Sequence, residues 1–280
     1  MLDALAAAPV YRIARIDVIF LRGVCESVLF RASPEFGEWR SGHRDHRQKA
    51  PEGEGNMDRQ TWLAQRQAAV VADYDGDAAN YDDLEYPAEM QHAWVRRVLE
   101  MIPLGGAVLD APCGTGRYFA LITGAGMQVT GADQSAGMLA QARARGLAVS
   151  LVHCRLQNLL YEGKFDAALT IDALENVPPE DYPMVLANLR RAVRPGGVLY
   201  MTVEEQDQSH IDDAFTSLSA RGMPAVRGEI VEGNVAGYHY YPGRERVLGW
   251  LADAGLDVID EAYSPETGWG YRHFLVRAPG

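Results

Sequence analysis

The run Val108-Leu109-Asp110-Ala111-Pro112-Cys113-Gly114-Thr115-Gly116-Arg117 joins an apolar segment, a carboxylate and a two-glycine turn. Glycine has no Cβ, so a ligand can lie directly on the main chain of such a turn. Twenty-three residues after Asp110, a second apolar run, Val129-Thr130-Gly131-Ala132, ends in Asp133. A carboxylate in that place accepts protons from both hydroxyls of an adenosine ribose. Charge-assisted hydrogen bonds of that kind contribute roughly 1.5–3 kcal/mol each. The chemistry on offer is capture of an adenosine-bearing cofactor.

Dinucleotide sites carry a third glycine and set a helix amino terminus on a pyrophosphate. Here Gly114-Thr115-Gly116-Arg117-Tyr118-Phe119 has an aromatic ring in that position, which is expected to obstruct close packing of helix on strand. Asp110 just ahead of the turn repels a pyrophosphate and suits a cationic amino group instead.

The elements that must position these residues alternate. Helices are expected at Asp58–Val71, Ala88–Met101, Arg117–Thr123, Ala136–Arg145 and Asp181–Val193, with strands at Ala107–Leu109, Gln128–Ala132, Ala148–His153, Phe165–Ile171 and Val198–Val203. The Arg194-Pro195-Gly196-Gly197 stretch stops the fifth helix. This alternation implies βαβ units and a mostly parallel sheet, with ligands at the carboxyl ends of its strands. Residues 204–243 interrupt the rhythm with a helix at Ile211–Ala220 and a hairpin, Val226–Val231 and Val235–Tyr241 about Glu232-Gly233-Asn234. It resumes with a helix at Arg244–Ala254 and strands at Leu256–Ala262 and Tyr271–Arg277.

The formal charge of the 280-residue chain is −12. An acidic chain repels nucleic-acid phosphates and anionic lipid, so neither is an expected partner. Three cysteines give no disulfide framework, and a reducing cytoplasm is the expected compartment. Residues 1–56 read as a largely unstructured extension, with Ser33–Asn56 lacking any period and Met57 a workable start. His43 and His46 in that extension do not make a metal site, and no metal motif is present elsewhere.

Over about residues 72–277 the chain resembles the class I S-adenosylmethionine-dependent methyltransferases. Val108–Gly116 and Val129–Asp133 look like the family's first two motifs. Phe165–Leu169 with Asp172–Val177 resembles its strand-four region, and Leu189–Gly197 the segment before strand five. Tyr74-Asp75, Tyr81-Asp82 and Tyr86-Pro87 resemble the opening helix and loop that cover the cofactor.

The resemblance implies a Rossmann-like three-layer α/β sandwich with a mostly parallel seven-stranded sheet. The last strand runs antiparallel, and a substrate-covering lid or hairpin is inserted between strands five and six, within a domain spanning 57–280. The cofactor is S-adenosyl-L-methionine. Asp110, Ala111, Pro112, Cys113, Gly114 and Gly116 are placed at its methionine end, with Asp133 on the ribose and Gln134 and Met138 beside the adenine. Leu156 and Gln157 flank that ring, and Ile171 and Asp172 line the floor. The acceptor is a small molecule, methylated on oxygen, nitrogen or carbon. Its expected contacts are Tyr81, Tyr86, Asn176, Glu204, Tyr238 and Tyr241, with His239 first and Glu175 second as general base. Two other readings stay open: a nicotinamide-dependent oxidoreductase on a related fold, and a cofactor-binding protein without turnover.

Overall fold

The computed structural model describes residues 12–13, 16–17, 57–83, 89–231, 237–266 and 268–280. The chain divides into two compact units, Met1–Glu52 and Gly53–Gly280. In the first, Arg12–Ile13 pairs antiparallel with Ile16–Asp17. The reading of Ser33–Asn56 falls outside the described residues.

The second unit opens with helix α1, Arg59–Asp77. Asp58 caps it, accepting from the Thr61 amide at 2.9 Å and the Thr61 hydroxyl at 2.6 Å. A 3₁₀ turn, Ala78–Asp83, follows, then α2, Glu89–Glu100. Strands β1 (Ala107–Asp110), β2 (Gln128–Asp133), β3 (Ser150–His153), β4 (Phe165–Thr170) and β5 (Val193–Gln206) alternate with α3 (Phe119–Gly124), α4 (Ala136–Ala144) and α5 (Tyr182–Ala192). Helix α6 (Gln208–Ala220) and the hairpin β6 (Glu229–Val231) and β7 (Tyr238–Tyr240) come next. Helix α7 (Arg244–Asp253), β8 (Asp257–Pro265) and β9 (Trp269–Arg277) complete the fold.

The seven-stranded sheet has the order β8-β9-β5-β4-β1-β2-β3, with β9 antiparallel to both neighbours. The strand order reverses about β1, which lies between β4 and β2. Alternate side chains feed cores on the two faces. Val108, Val198 and Tyr200 pack with α2 and α3, whereas Leu109, Leu199 and Met201 pack with α5 and α7. The result is three layers, with the carboxyl ends of β1, β2 and β4 meeting at one rim.

Three details differ from the sequence reading. Strand β5 is longer than Val198–Val203, because β9 pairs with it out to Gln206 and a register shift absorbs Arg194–Gly197. Glu204 and Glu205 therefore lie within a strand, opposite Tyr271 and Gly270, rather than in a loop. Phe119 does not hold α3 off the sheet. Its ring is fully buried in space left by Gly116 and Gly131, where an added Cβ would stand 2.5 Å from the ring at either position.

Arg59 ties α1 to distant elements. Its guanidinium bonds Glu229 at 2.6 and 2.7 Å and Glu180 at 2.8 and 3.1 Å. Glu229 is fully buried and also accepts from Tyr238 Oη at 2.7 Å. The hairpin is thereby fastened to the first turn of α1.

Candidate cofactor and acceptor site

Asp110 closes β1 and is only 1% exposed. One of its carboxylate oxygens, Oδ2, has no hydrogen-bond partner among the described residues. Burial, and then the charge of Asp133, push this carboxyl well above the usual carboxylate range. A buried, unpartnered carboxylate oxygen is costly unless a donor arrives. Asp133 ends β2 and is also buried. Its two oxygens accept from the Gly114 and Ser135 amides, each at 2.8 Å, so it pins the glycine turn to the start of α4. Gly114 takes a positive φ of 52° and faces open space.

Beside Asp133 and the glycine turn lies a cavity of about 990 Å³, counting its open mouth. It brings together Pro112, Cys113 and Gly114 from the turn with Asp133, Gln134 and Met138 from the next unit. Leu156 and Gln157 join from the segment after β3, and Ile171, Asp172 and Asn176 from that after β4. The amide nitrogen of Gln157 donates to Asp181 at 3.0 Å, which leaves its oxygen free to accept. Asp110, Ala111 and Gly116 stand behind the turn rather than on the cavity wall.

Helix α1 and the 3₁₀ turn close over this space. Asp75 accepts from Ser135 Oγ at 2.5 Å and the Gly137 amide at 2.8 Å. Asp82 accepts from Thr115 Oγ1 at 2.7 Å and pairs with Arg145 at 2.5 Å. Tyr74, Tyr81, Gln67 and Val70 of this cover line the cavity. Gln67 and Val70 were not expected, nor were Arg155 and Cys154 opposite them. The sequence carries no local sign of them, since they meet across 88 residues, as in the Arg155–Gln67 hydrogen bond.

Beyond Asp172 the site turns acidic. Asp172 has a positive φ of 53°, unusual for a non-glycine. Its amide donates to Thr202 Oγ1 at 2.7 Å, and Tyr271 donates to its carboxylate. Glu175 is buried, with Oε2 unpartnered among the described residues. Burial first, then Asp172 and Glu204, push it well above the usual range. The same burial and Asp172 push Glu204 up to about 7. His239 Nδ1 stands 3.9 Å from Glu204 Oε2 and 3.0 Å from Tyr241 Oη. Asn176 accepts from Tyr74 at 3.2 Å and donates to the Tyr238 carbonyl at 3.3 Å.

Not every expected acceptor contact faces the cavity. Tyr238 is turned into the core against Trp62, its hydroxyl held by Glu229, so it braces the hairpin instead. Tyr241 lines a different cavity. Glu175 and Glu204 lie near Asp172, and His239 near Glu204, rather than on the wall itself, and Tyr86 falls outside the described residues. Among the described residues no group of three or more acidic, His or Cys side chains is placed to hold a metal.

A methyltransferase domain model matches residues 108–197, the stretch that carries β1, the glycine turn, Asp133 and Asp172. The malonyl-[acyl-carrier protein] O-methyltransferase of Pectobacterium atrosepticum is 34% identical over 135 residues, covering 47% of this chain and 53% of that enzyme. The demethylmenaquinone methyltransferase of Paenarthrobacter aurescens is 27% identical over 210 residues, covering 70% of this chain and 82% of that enzyme. The chain belongs to the class I S-adenosylmethionine-dependent methyltransferases. The methyltransferase fold itself recurs in the Burkholderia thailandensis 1,6-didemethyltoxoflavin-N1-methyltransferase with bound 1,6-didemethyltoxoflavin and S-adenosylhomocysteine. That structure is 22% identical, with a TM-score of 0.60 over 80% of this chain and 92% of that one.

The methyltransferase's own residues fit S-adenosylmethionine. The unpartnered Asp110 oxygen suits an ammonium, and the open space at Gly114 admits a ligand to the main chain. Asp110 also weighs against the pyrophosphate of a nicotinamide cofactor, so the oxidoreductase reading falls.

Proposed function

We propose that this methyltransferase acts on a small-molecule acceptor held at the Asp172–Asn176 end of the cavity. The observation that carries this reading is the tyrosine-lined, acidic wall formed by Tyr74, Tyr81, Tyr118, Asp172 and Asn176. The net charge of −12 disfavours a nucleic-acid acceptor. Relatives named for malonyl-[acyl-carrier protein] and demethylmenaquinone support the same class. We place the reaction in the cytoplasm, in keeping with cysteines that form no disulfide framework.

Bound S-adenosylmethionine supplies a methyl group already activated by a sulfonium charge. Asp133 would take the ribose hydroxyls, and Asp110, reached past the glycine turn, would take the amino group at the methionine end. Met138, Leu156 and Ile171 would enclose the adenine, with the Gln157 oxygen placed to accept from its amino group. The cover formed by α1 excludes water and holds the acceptor in line with the methyl group. Such positioning supplies on the order of 7–11 kcal/mol. Transfer would join that methyl carbon to the acceptor's lone pair, with the S–C bonding electrons returning to sulfur. An acceptor proton leaves through Asp172 to Glu204, with His239 as its outlet towards solvent. Glu175 beneath them holds the pair's charge state by repulsion.

The deciding experiment incubates the purified protein with methyl-labelled cofactor and panels of phenols, quinols, amines, carboxylic acids, DNA, RNA and protein. Label should pass to a small molecule. Transfer confined to a macromolecule would overturn the reading.

A further inference from the structure

A second cavity, of about 800 Å³ with its open mouth, lies on the far side of the His239–Tyr241 pair. It stands apart from the cofactor cavity and shares no lining residue with it. Its wall carries four arginines, Arg227, Arg244, Arg246 and Arg272, against one carboxylate, Glu205. Asp212, Glu245 and Glu261, which are not part of the wall, pair with Arg227, Arg244 and Arg272, so Arg246 is the arginine of this wall without a carboxylate partner among the described residues.

The arginines are not equivalent. Arg272 forks onto Glu205 at 2.5 and 3.0 Å and also reaches Glu261 at 2.6 Å. Arg244 forks onto the same Glu261 at 2.6 and 2.9 Å. These two form a fixed frame. Arg227 pairs with Asp212 at 2.7 Å but keeps more than half its side chain exposed. Arg246 donates to the Tyr240 hydroxyl at 2.6 Å and lies over the Trp250 ring, with no carboxylate within ion-pair distance among the described residues. A guanidinium carries five N–H donors in a planar fork that matches an oxyanion. Arg246 has spent one on a neutral partner. The first turn of α7, at the cavity's edge, has no side-chain cap and adds backbone donors.

We infer that this cavity binds an oxyanion of the phosphate or carboxylate class, held by Arg246 and Arg227 within the frame set by Arg244 and Arg272. The oxyanion is either a group carried by the methyl acceptor or a separate small anion. The position suits the first source. Tyr241 lines this cavity and bonds His239, which faces Glu204, the neighbour of Asp172 on the cofactor cavity. The inference does not depend on the methyltransferase activity, because anion binding can be read without turnover.

The test uses the full chain and inorganic phosphate as probe, read by thermal shift against potassium chloride of equal ionic strength. Phosphate should raise the melting temperature above the chloride control. Arg246→Gln and Arg227→Gln should each weaken the apparent phosphate affinity about tenfold. Arg96→Gln, which removes the same charge from an exposed site elsewhere, should leave it unchanged. S-adenosylhomocysteine binding should stay intact in all three, which confirms folding and separates this result from any failure at the cofactor site. A phosphate response no larger than that to chloride, or one lost equally in Arg96→Gln, overturns the inference. With a turned-over acceptor, phosphate that raises KM at unchanged kcat identifies the acceptor's own anion position. Phosphate that alters kcat at unchanged KM identifies a separate ligand.

Discussion

Replacing Asp110 by Asn should move stability and cofactor affinity in opposite directions. Without ligand, Asp110 is buried with an unpartnered oxygen, and its carboxyl is raised by burial and by Asp133. An acid whose folded-state pKa is raised binds more protons folded than unfolded, so stability falls as pH climbs from its ordinary value through the raised one. Asn removes that charge at nearly constant shape. Relief of an unsatisfied buried charge is about 1–3 kcal/mol, of which the still-buried amide gives some back. The net gain of about 1 kcal/mol at pH 8 corresponds to about 2–4 °C in melting temperature for a domain of this size. Towards acid pH the gain should shrink, because the cost of a raised carboxyl fades as pH falls towards its ordinary value. Binding goes the other way. Loss of a charged contact to the amino group costs about 1.5–3 kcal/mol, or about 10- to 150-fold in affinity for S-adenosylhomocysteine. Melting curves at both pH values and calorimetric titration read the two effects. A variant that melts lower at pH 8 yet binds within about threefold of the parent would refute the role given to Asp110.

The two glycines of the turn should separate folding from binding. Gly116→Ala drives a methyl group into Phe119 and should lose about 2–4 kcal/mol in denaturant unfolding, whereas Gly114→Ala meets open space and should lose about 1 kcal/mol yet bind S-adenosylhomocysteine more weakly. Because burial raises the Glu204 carboxyl to about 7, kcat/KM should rise with pH through that region and fall away below it, and Glu204→Gln should flatten the profile. Arg59→Met strands the buried carboxylate of Glu229 and should destabilise the domain by about 3–5 kcal/mol in the same unfolding assay.

Much of the cofactor half was legible because its signals are local. Gly114, Gly116, Asp110 and Asp133 belong to strand ends and a turn, where residue type and spacing reflect backbone geometry directly. The helices and parallel strands followed from period alone. The acceptor half was less legible because long-range contacts build it. Nothing near Tyr238 says that its hydroxyl serves Glu229, and nothing near Arg59 announces partners 121 and 170 residues away. Glu204 reads as a loop residue until β9 is seen to pair beside it. Phe119 reads as an obstacle until Gly131, on another strand, is found to make room for its ring.

Arg59 and Asp75 sit near opposite ends of one helix, about 24 Å apart at the usual rise per residue. One end grips the hairpin beside the acceptor region and the other holds the start of α4. A rigid helix tied at both ends should pass a displacement at one end to the other, so ordered addition of the two substrates is expected. The expected order is methyl donor first and acceptor second, with the demethylated donor leaving last. Product inhibition by S-adenosylhomocysteine should then be competitive with the methyl donor and noncompetitive with the acceptor.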